Sequence, residues 1–313
     1  SGLAGAPTTY LAAFDPAALV WTLSRGLRTE FALGVTRTLD GAGQPLGGVR
    51  VEEQGPAGTS ERRSETESGL ATLAEAAGAF HWKFSRDGHL PVWREGTLAS
   101  GQVLFVPSPW LQERSEASVA LSVLNGGAVS GDGAVVRFAG GAFPAPATAT
   151  LTLLGVQSLP ALLPAGWSPL AAFWLELSAE PQASGQAELR LAERLAPGER
   201  ALLLRFDADT HQWIETGTPV AASGDLATTA LAASGAYAIV VPDTGPSAPP
   251  APVAGAAIGP TPTPFPLSDG LRATGTVTPP AAAASVEPAR VASHRSAVRT
   301  QGVTLPSGLE PHA

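Results

Sequence analysis

Cysteine and methionine are both absent from the 313 residues. Without cysteine there is no disulfide framework and no thiolate metal site, although this alone does not fix the compartment. Lysine occurs once, as Lys83; the other cations are arginines, and the formal net charge is −8. No basic cluster is present, and the acidity argues against nucleic acid and other polyanions as partners. No apolar run is long enough for a membrane span. The N-terminus lacks a basic stretch followed by an apolar core, so no signal peptide is visible. With Ser1 first and no methionine anywhere, the chain is expected to be a processed product or a piece of a longer protein. The export signal of a secreted parent would then lie upstream. Asparagine also occurs once, as Asn125, and glycine follows it, so there is no N-glycosylation sequon.

What the chain does have is 35 glycines and 29 prolines. Breakers recur every dozen residues or so, which disfavours long helices and favours short strands with turns between them. The length corresponds to about two domains.

Residues 1–28 are ambiguous. Asp15–Pro16 could cap a short helix, or the segment could be the tail of a preceding module. From Thr29 the apolar period is two. Phe31, Leu33 and Val35 alternate with smaller or polar residues, and Val49 and Val51 alternate again. The polar run from Glu52 to Gly69 reads as a charged loop. The stretch from Leu70 to Ala79 reads as strand and turn. Phe80, Trp82 and Phe84 share one strand face, and His81, Lys83 and Ser85 share the other. Val103 and Phe105 close a small β domain over 29–106. A second domain is expected over 116–244, where seven or eight alternating segments fit a sandwich. Residues 245–285 are rich in proline, alanine and glycine and read as a semi-extended linker. Residues 286–313 read as the start of a truncated further module. The expected fold is therefore all-β: two tandem antiparallel β-sandwiches, a linker and an incomplete C-terminal segment.

The glycine-rich stretch from Asn125 to Phe143 raises the question of a phosphate loop. Such a loop needs Gly-Lys-Ser/Thr opening a helix, or glycines between a strand and a helix. Here no lysine follows and the next segment, "AVVRF", is strand-like. Hairpin turns, which demand positive φ, explain these glycines and those of Gly41–Gly48.

None of the five histidines is paired with another at ligand spacing. Asp87 with His89 is a candidate pair beside a turn. Asp207, Asp209 and His211 are candidate loop ligands for calcium, although the bidentate acid and turn glycine of an EF-hand loop are missing and a polar hairpin fits better. There is no Gly-x-Ser-x-Gly elbow, and no carboxylate pair is singled out for glycosidase chemistry. We therefore expect no catalytic residues, no cofactor and no enzyme activity. Trp82 and Trp213 fall in strand patterns and read as core. Trp93, Trp110 and Trp167 lie near prolines. Trp93 and Trp167 are candidates either for stacking on a sugar ring or for packing between modules.

Two stretches carry resemblances. Asp40, Gly43, Pro45, Leu46, Gly48, Val49 and Val51 match a "D-x-x-G-x-P-L-x-G-V-x-V" pattern. Thr66, Glu67 and Gly69, then Gly88, His89 and Pro91, match two later elements, with glutamate for aspartate and histidine for tyrosine. This region resembles the carboxypeptidase regulatory-like, or transthyretin-like, β-sandwich. The resemblance implies a non-catalytic module common in secreted multidomain proteins. Gly126, Gly127, Val129, Gly141, Ala142, Phe143, Phe206, Asp207 and Trp213 resemble the sandwich shared by ankyrins, netrin receptors and zonula-occludens proteins. Ala139 stands where that family has proline. Some of its relatives cleave themselves at a His-Phe-Ser/Pro site, but Ala142, not histidine, precedes Phe143–Pro144 here, so no autoproteolysis is carried over.

The tandem order is similar to the region ahead of the shell in bacterial RHS/YD-repeat and teneurin-like surface proteins. It implies an extracellular or cell-surface structural segment that positions neighbouring domains of the same polypeptide, with a surface protein or glycan as further partner. The alternative expectation is a carbohydrate-binding accessory module.

Overall fold

A computed structural model describes residues 9–15, 20–27, 31–56, 58–100, 103–195, 199–244 and 248–260. The protein is nearly all β, and its sheets are mainly antiparallel and stack as sandwiches; no α-helix occurs among the described residues. The segment 1–262 forms one compact unit. No helix among the described residues is long and apolar enough to cross a membrane.

Strands β1 (Thr9–Asp15) and β2 (Val20–Leu27) pair antiparallel as a hairpin. Residues 16–19, where a helix was one expectation, lie outside the described residues, but Val20–Leu27 is strand. "VWTLS" carries the β-branched and aromatic residues that favour this.

The first sandwich contains β3 (Phe31–Arg37), β4 (Leu39–Asp40), β5 (Arg50–Gly55), β6 (Gly58–Arg63), β7 (Leu70–Ala76), β8 (Gly78–Ser85), β9 (Val92–Leu98), β10 (Val103–Phe105) and β11 (Trp110–Leu111). One sheet runs β10-β3-β7 and the facing sheet runs β6-β5-β8-β9. β11 pairs parallel with β4, and Leu111 is fully buried, so this sandwich extends past the expected boundary at 106. Val49, Val51, Leu73, Phe80, Trp82, Phe84, Val92 and Leu98 fill the core. Phe80 and Trp82 stack with ring centroids 3.8 Å apart.

Two strand glycines make room for these rings. A Cβ on Gly34 would come within 2.0 Å of the Trp82 ring, and one on Gly96 within 2.8 Å of Phe80. A glycine inside a strand marks this kind of close approach.

The polar run from Glu52 to Gly69 is not all loop. β5 and β6 form a hairpin within it, and every residue of β6 is exposed. With no buried face, β6 has no apolar period to read. It is held by the backbone ladder and by surface ion pairs such as Arg50–Glu61 at 2.8 Å, and its charges suit a sheet edge.

The residues behind the first resemblance build turns here. Asp40 Oδ1 accepts hydrogen bonds from the amides of Ala42 (2.9 Å) and Gln44 (2.8 Å). Behind that turn, buried Thr38 receives Leu46 N (2.9 Å) on its carbonyl and donates its hydroxyl to Leu46 O (2.5 Å). Its amide donates to Gly69 O (2.8 Å). Ser64 Oγ accepts from Val49 N at 3.0 Å.

The second sandwich comprises β12 (Ser118–Leu121), β13 (Gly127–Gly131), β14 (Ala134–Phe138), β15 (Ala147–Leu153), β16 (Trp167–Leu177), β17 (Gly185–Arg190), β18 (Leu202–Asp207), β19 (Gln212–Pro219), β20 (Ala221–Ser223), β21 (Leu226–Leu231) and β22 (Gly235–Pro242). Its sheets run β12-β15-β16-β22-β18-β19 and β13-β14-β17-β21-β20. The glycine-rich stretch is the β13–β14 hairpin, turning at Asp132–Gly133 with φ +79° at the glycine. Leu121, Val136, Phe138, Phe143, Phe173, Leu175, Tyr237 and Ile239 lie between the sheets.

The outer face of the six-stranded sheet is also apolar. Ala172, Leu204, Phe206, Trp213, Ala236, Ala238 and Val240 form another core there. Alternation along β22 sends Tyr237 and Ile239 inward and Ala238 and Val240 outward, and both faces are buried. A near-continuous apolar strand of this kind is the mark of two-sided burial.

Three elements cover this outer face. The first is the loop from Leu154 to Ala161. The second is Ile258. The third is Leu90 with Trp93 from the first sandwich. Ile258 belongs to the segment expected to be linker. Its amide donates to Trp213 O (3.0 Å), Glu215 N donates to Ala256 O (3.0 Å), and Ile214 bridges Ala257. Residues 255–258 thus run along the free edge of β19. Chain composition misleads at this point because backbone pairing does not need an apolar period. Residues 245–247 and 261–285 of the expected linker and the expected module 286–313 lie outside the described residues.

Gly34→Ala is expected to lower stability by about 1–3 kcal/mol through overpacking against Trp82. Gly131→Ala meets only ordinary contacts with Leu153 and Leu151 and is expected to stay within about 1 kcal/mol of the parent. Urea denaturation midpoints of the two variants check this contrast.

Candidate functional site

The first and second sandwiches meet along β9 and the β18–β19 turn. Trp93 is on the outer face of its sheet, opposite Lys83 in the ladder. Alternation alone would leave it in water. Instead it is only 8% exposed, because it enters the outer core of the second sandwich. Its ring centroid lies 5.1 Å from that of Phe206, and Phe206 lies 5.5 Å from Trp213. The Trp93 amide donates to Pro160 O at 2.6 Å, which ties the two sandwiches through backbone as well.

Arg94, the next residue, points the other way and is 4% exposed. Its guanidinium donates to the carbonyls of Trp93 (2.8 Å), Pro107 (3.3 Å) and Ser108 (3.4 Å). Burial pulls its pKa down to about 10. The group remains charged at neutral pH, and the carbonyl dipoles replace its hydration.

The chain between the sandwiches is stitched at both ends. Leu90 N donates to Gln112 O and Arg114 N to Gly88 O, each at 2.8 Å. His89 bridges Glu113. Arg114 pairs with Glu176 at 3.3 Å, and Ser115 N donates to Thr152 Oγ1 at 3.0 Å.

The candidate sugar-stacking tryptophans are therefore both largely buried. Trp167 is 5% exposed and donates its indole N–H to Gly259 O at 2.8 Å. Trp93 is covered as described. Trp93 packs between the sandwiches, and Trp167 packs in the outer core of the second against the segment that carries Gly259. Trp82 and Trp213 are core, as their strand patterns predict.

The candidate calcium ligands separate into different roles. Asp207 Oδ1 accepts from Asp209 N (3.0 Å), and Asp207 Oδ2 accepts from Thr210 Oγ1 (2.9 Å). These bonds hold the carboxyl below its ordinary pKa. Asp207 thus spends its oxygens capping the β18–β19 turn. His211 sits in that turn with φ +57°, the only non-glycine residue with positive φ among the described residues. Asp87 and His89 do not form a side-chain pair; the His89 ring meets the Asp87 carbonyl at 3.1 Å. Among the described residues, no three His, Asp or Glu side chains cluster as a metal-binding set.

What the turn does bring together is His211 and His81. Their Nδ1 atoms are 3.3 Å apart, across 130 residues of sequence. His81 Nδ1 also lies 3.5 Å from Glu95 Oε2. These groups line a cleft of about 430 Å³ with Trp93, Leu163 and Gln212. Sequence spacing could not reveal this pair, since its members belong to different sandwiches.

A buried acid, Glu53, has a different setting. It is 2% exposed, accepts from Ser60 Oγ at 2.7 Å and meets Arg62 at 3.6 Å, while its other oxygen has no partner. It joins β5 to β6.

No protein-family profile matches the chain, and no curated protein matches it. Among solved structures it is similar to the major pilin subunit of Bacillus cereus, BcpA, and to a variant of that pilin with one aspartate replaced by alanine. Identity is 10% in both cases, with TM-scores of 0.21 and 0.23 respectively. The aligned region covers 69% of this chain and 59% and 60% of the respective pilin chains. The chain thus spans about three-fifths of the length of the pilins it matches.

The pKa of His211 is lowered, first by burial and then by the charge of His81; Glu95, Asp207 and Asp209 oppose this. A histidine whose folded pKa lies below its unfolded value binds fewer protons when folded, so its contribution to stability falls on acidification. The loss begins near the usual histidine value of about 6.5 and continues down to the folded value. The melting temperature is expected to fall as the pH is lowered below about 6.5. The drop should be shallower in His211→Gln. Equal slopes in the two proteins would contradict the assignment.

Proposed function

We propose that this chain is a non-catalytic structural and interaction region of a large bacterial secreted or cell-surface protein, of the RHS/YD-repeat type. Its task is to position neighbouring domains of the same polypeptide. The single observation that carries this reading is the shared apolar core. Trp93 and Leu90 of the first sandwich sit among Phe206, Trp213 and Ile258 of the second. An apolar face of this kind marks a surface that joins modules.

The residues that carry the resemblances support the same reading. Asp40, Gly43, Leu46, Val49 and Gly69 build turns or core in the first sandwich. Val129, Phe143, Phe206 and Trp213 are core in the second. We read the first sandwich as carboxypeptidase regulatory-like and the second as of the ankyrin, netrin-receptor and zonula-occludens type. Fold does not imply function, so the reading rests on how these side chains are used.

The test is replacement. In the parent protein, residues 29–260 are exchanged for an unrelated pair of rigidly docked sandwiches with similar spacing between its ends. A positioning role predicts that surface display and the activity of neighbouring domains survive the exchange but are lost when the segment is simply deleted. Loss in both cases would show that this surface itself binds something essential.

A further inference from the structure

Cysteine and methionine, the side chains most open to oxidation, are absent, and asparagine occurs once, as Asn125 before Gly126. An asparagine followed by glycine is prone to close on itself. The backbone nitrogen after the asparagine attacks the side-chain amide carbon, and glycine has no Cβ to obstruct the approach. Gly126 does not tolerate a bulkier residue. Its φ is +69°, and a Cβ there would collide with the carbonyl oxygen of Phe138.

The fold places this pair at an exposed tip. Ser122 and Gly126 form an antiparallel bridge just after β12, and Val123, Leu124 and Asn125 make the turn between them. Leu124 is 85% exposed and Asn125 is exposed beside it, so water reaches the side-chain amide.

The same bridge withholds the nucleophile. Gly126 N donates to Ser122 O at 2.8 Å, and Ser122 N donates to Gly126 O at 2.9 Å. Asn125 N donates to Ser122 Oγ at 3.3 Å. The loop after β14 clasps the turn from outside. Gly141 N donates to Val123 O at 2.6 Å, and Gly140 lies so close to Leu124 O that a Cβ on it would collide there. A bonded amide holds its proton, and a clasped turn cannot swing its nitrogen onto Cγ. Attack therefore requires local opening of the turn.

We propose that Asn125 is a modification site gated by the Ser122–Gly126 bridge: opening of the turn lets the asparagine convert to aspartate or isoaspartate. Water takes the proton of Gly126 N, a bond forms from that nitrogen to Asn125 Cγ, and the Cγ–Nδ2 bond breaks. The side-chain nitrogen leaves as ammonia, taking a proton back from water. A second water opens the cyclic imide at either carbonyl. Both products carry a new negative charge. Isoaspartate also lengthens the turn by one backbone atom, for which the close contacts at Gly126 and Gly140 leave no space. That product keeps the turn open, so the site is a one-way record of opening at the entrance to the second sandwich.

The experiment incubates the full chain at mildly alkaline pH, either folded or in concentrated guanidinium chloride. Mass spectrometry of its peptides follows the change from amide to acid at Asn125. The folded chain is expected to react at least about tenfold more slowly than the unfolded one, as for a segment that must open first. Gly140→Ala displaces the turn without altering Asn125 or Gly126. It should raise the folded rate and leave the unfolded rate unchanged, with circular dichroism establishing that it folds. Ser122→Ala removes the side-chain bond to Asn125 N and should shift the folded rate in the same direction. The isoaspartyl chain, separated by chromatography, should melt below the parent. Equal rates in the folded and unfolded chains overturn the proposal. So do an unreactive unfolded chain, a folded rate that neither variant moves, or an isoaspartyl chain as stable as the parent.

Discussion

The outer face of the six-stranded sheet must be covered, and much of the molecule's organisation follows from this. Leu204, Phe206, Trp213, Ala236, Ala238 and Val240 would present a broad apolar surface to water if the second sandwich stood alone. Burial of apolar area is worth about 25 cal/mol per Å², so elements able to cover that face are held on it. Three do so: the loop around Leu159, the segment carrying Ile258, and the Leu90–Trp93 stretch of the first sandwich. The small side chains of Ala236 and Ala238 leave space for the rings of Phe206, Trp213 and Trp93 to pack close to the sheet. Docking of the first sandwich is thus part of folding the second.

Polar groups fix the register of this union. Trp93 N on Pro160 O, Trp213 Nε1 on Ala161 O and Trp167 Nε1 on Gly259 O each satisfy a donor that burial would otherwise penalise. The buried Arg94 does the same for the carbonyls of Trp93, Pro107 and Ser108, the last two leading toward β11. These directional bonds select one docked arrangement among the many that apolar contact alone would allow. The same geometry brings His81 to His211, which is why a pair with no sequence relationship meets at the junction.

Much of the fold was legible in the chain because strands with one buried face announce themselves. Phe80, Trp82 and Phe84 alternate with His81 and Lys83, and burial follows the alternation. The glycines around Asn125 read as hairpin punctuation for want of a lysine or a helix, and β13 and β14 pair there. Elements without an apolar period were missed. β6 is charged and exposed throughout, and residues 255–258 join β19 through backbone alone. The site was less legible. In sequence Trp93 shows only a neighbouring proline, and the tertiary structure alone reveals which face it occupies and what covers it. Asp207, Asp209 and His211 are neighbours in sequence, yet the turn directs the carboxylate of Asp207 to its own backbone and the imidazole across the junction.

The central claim is that the two sandwiches form one body through a shared core. Residual dipolar couplings of backbone amides, measured in a weakly aligning medium, test it most directly. The account predicts that couplings from strands β3–β9 and from strands β12–β22 fit a single alignment tensor in the docked arrangement. Two distinct tensors, or couplings in one sandwich scaled down relative to the other, would show independently moving domains and contradict it.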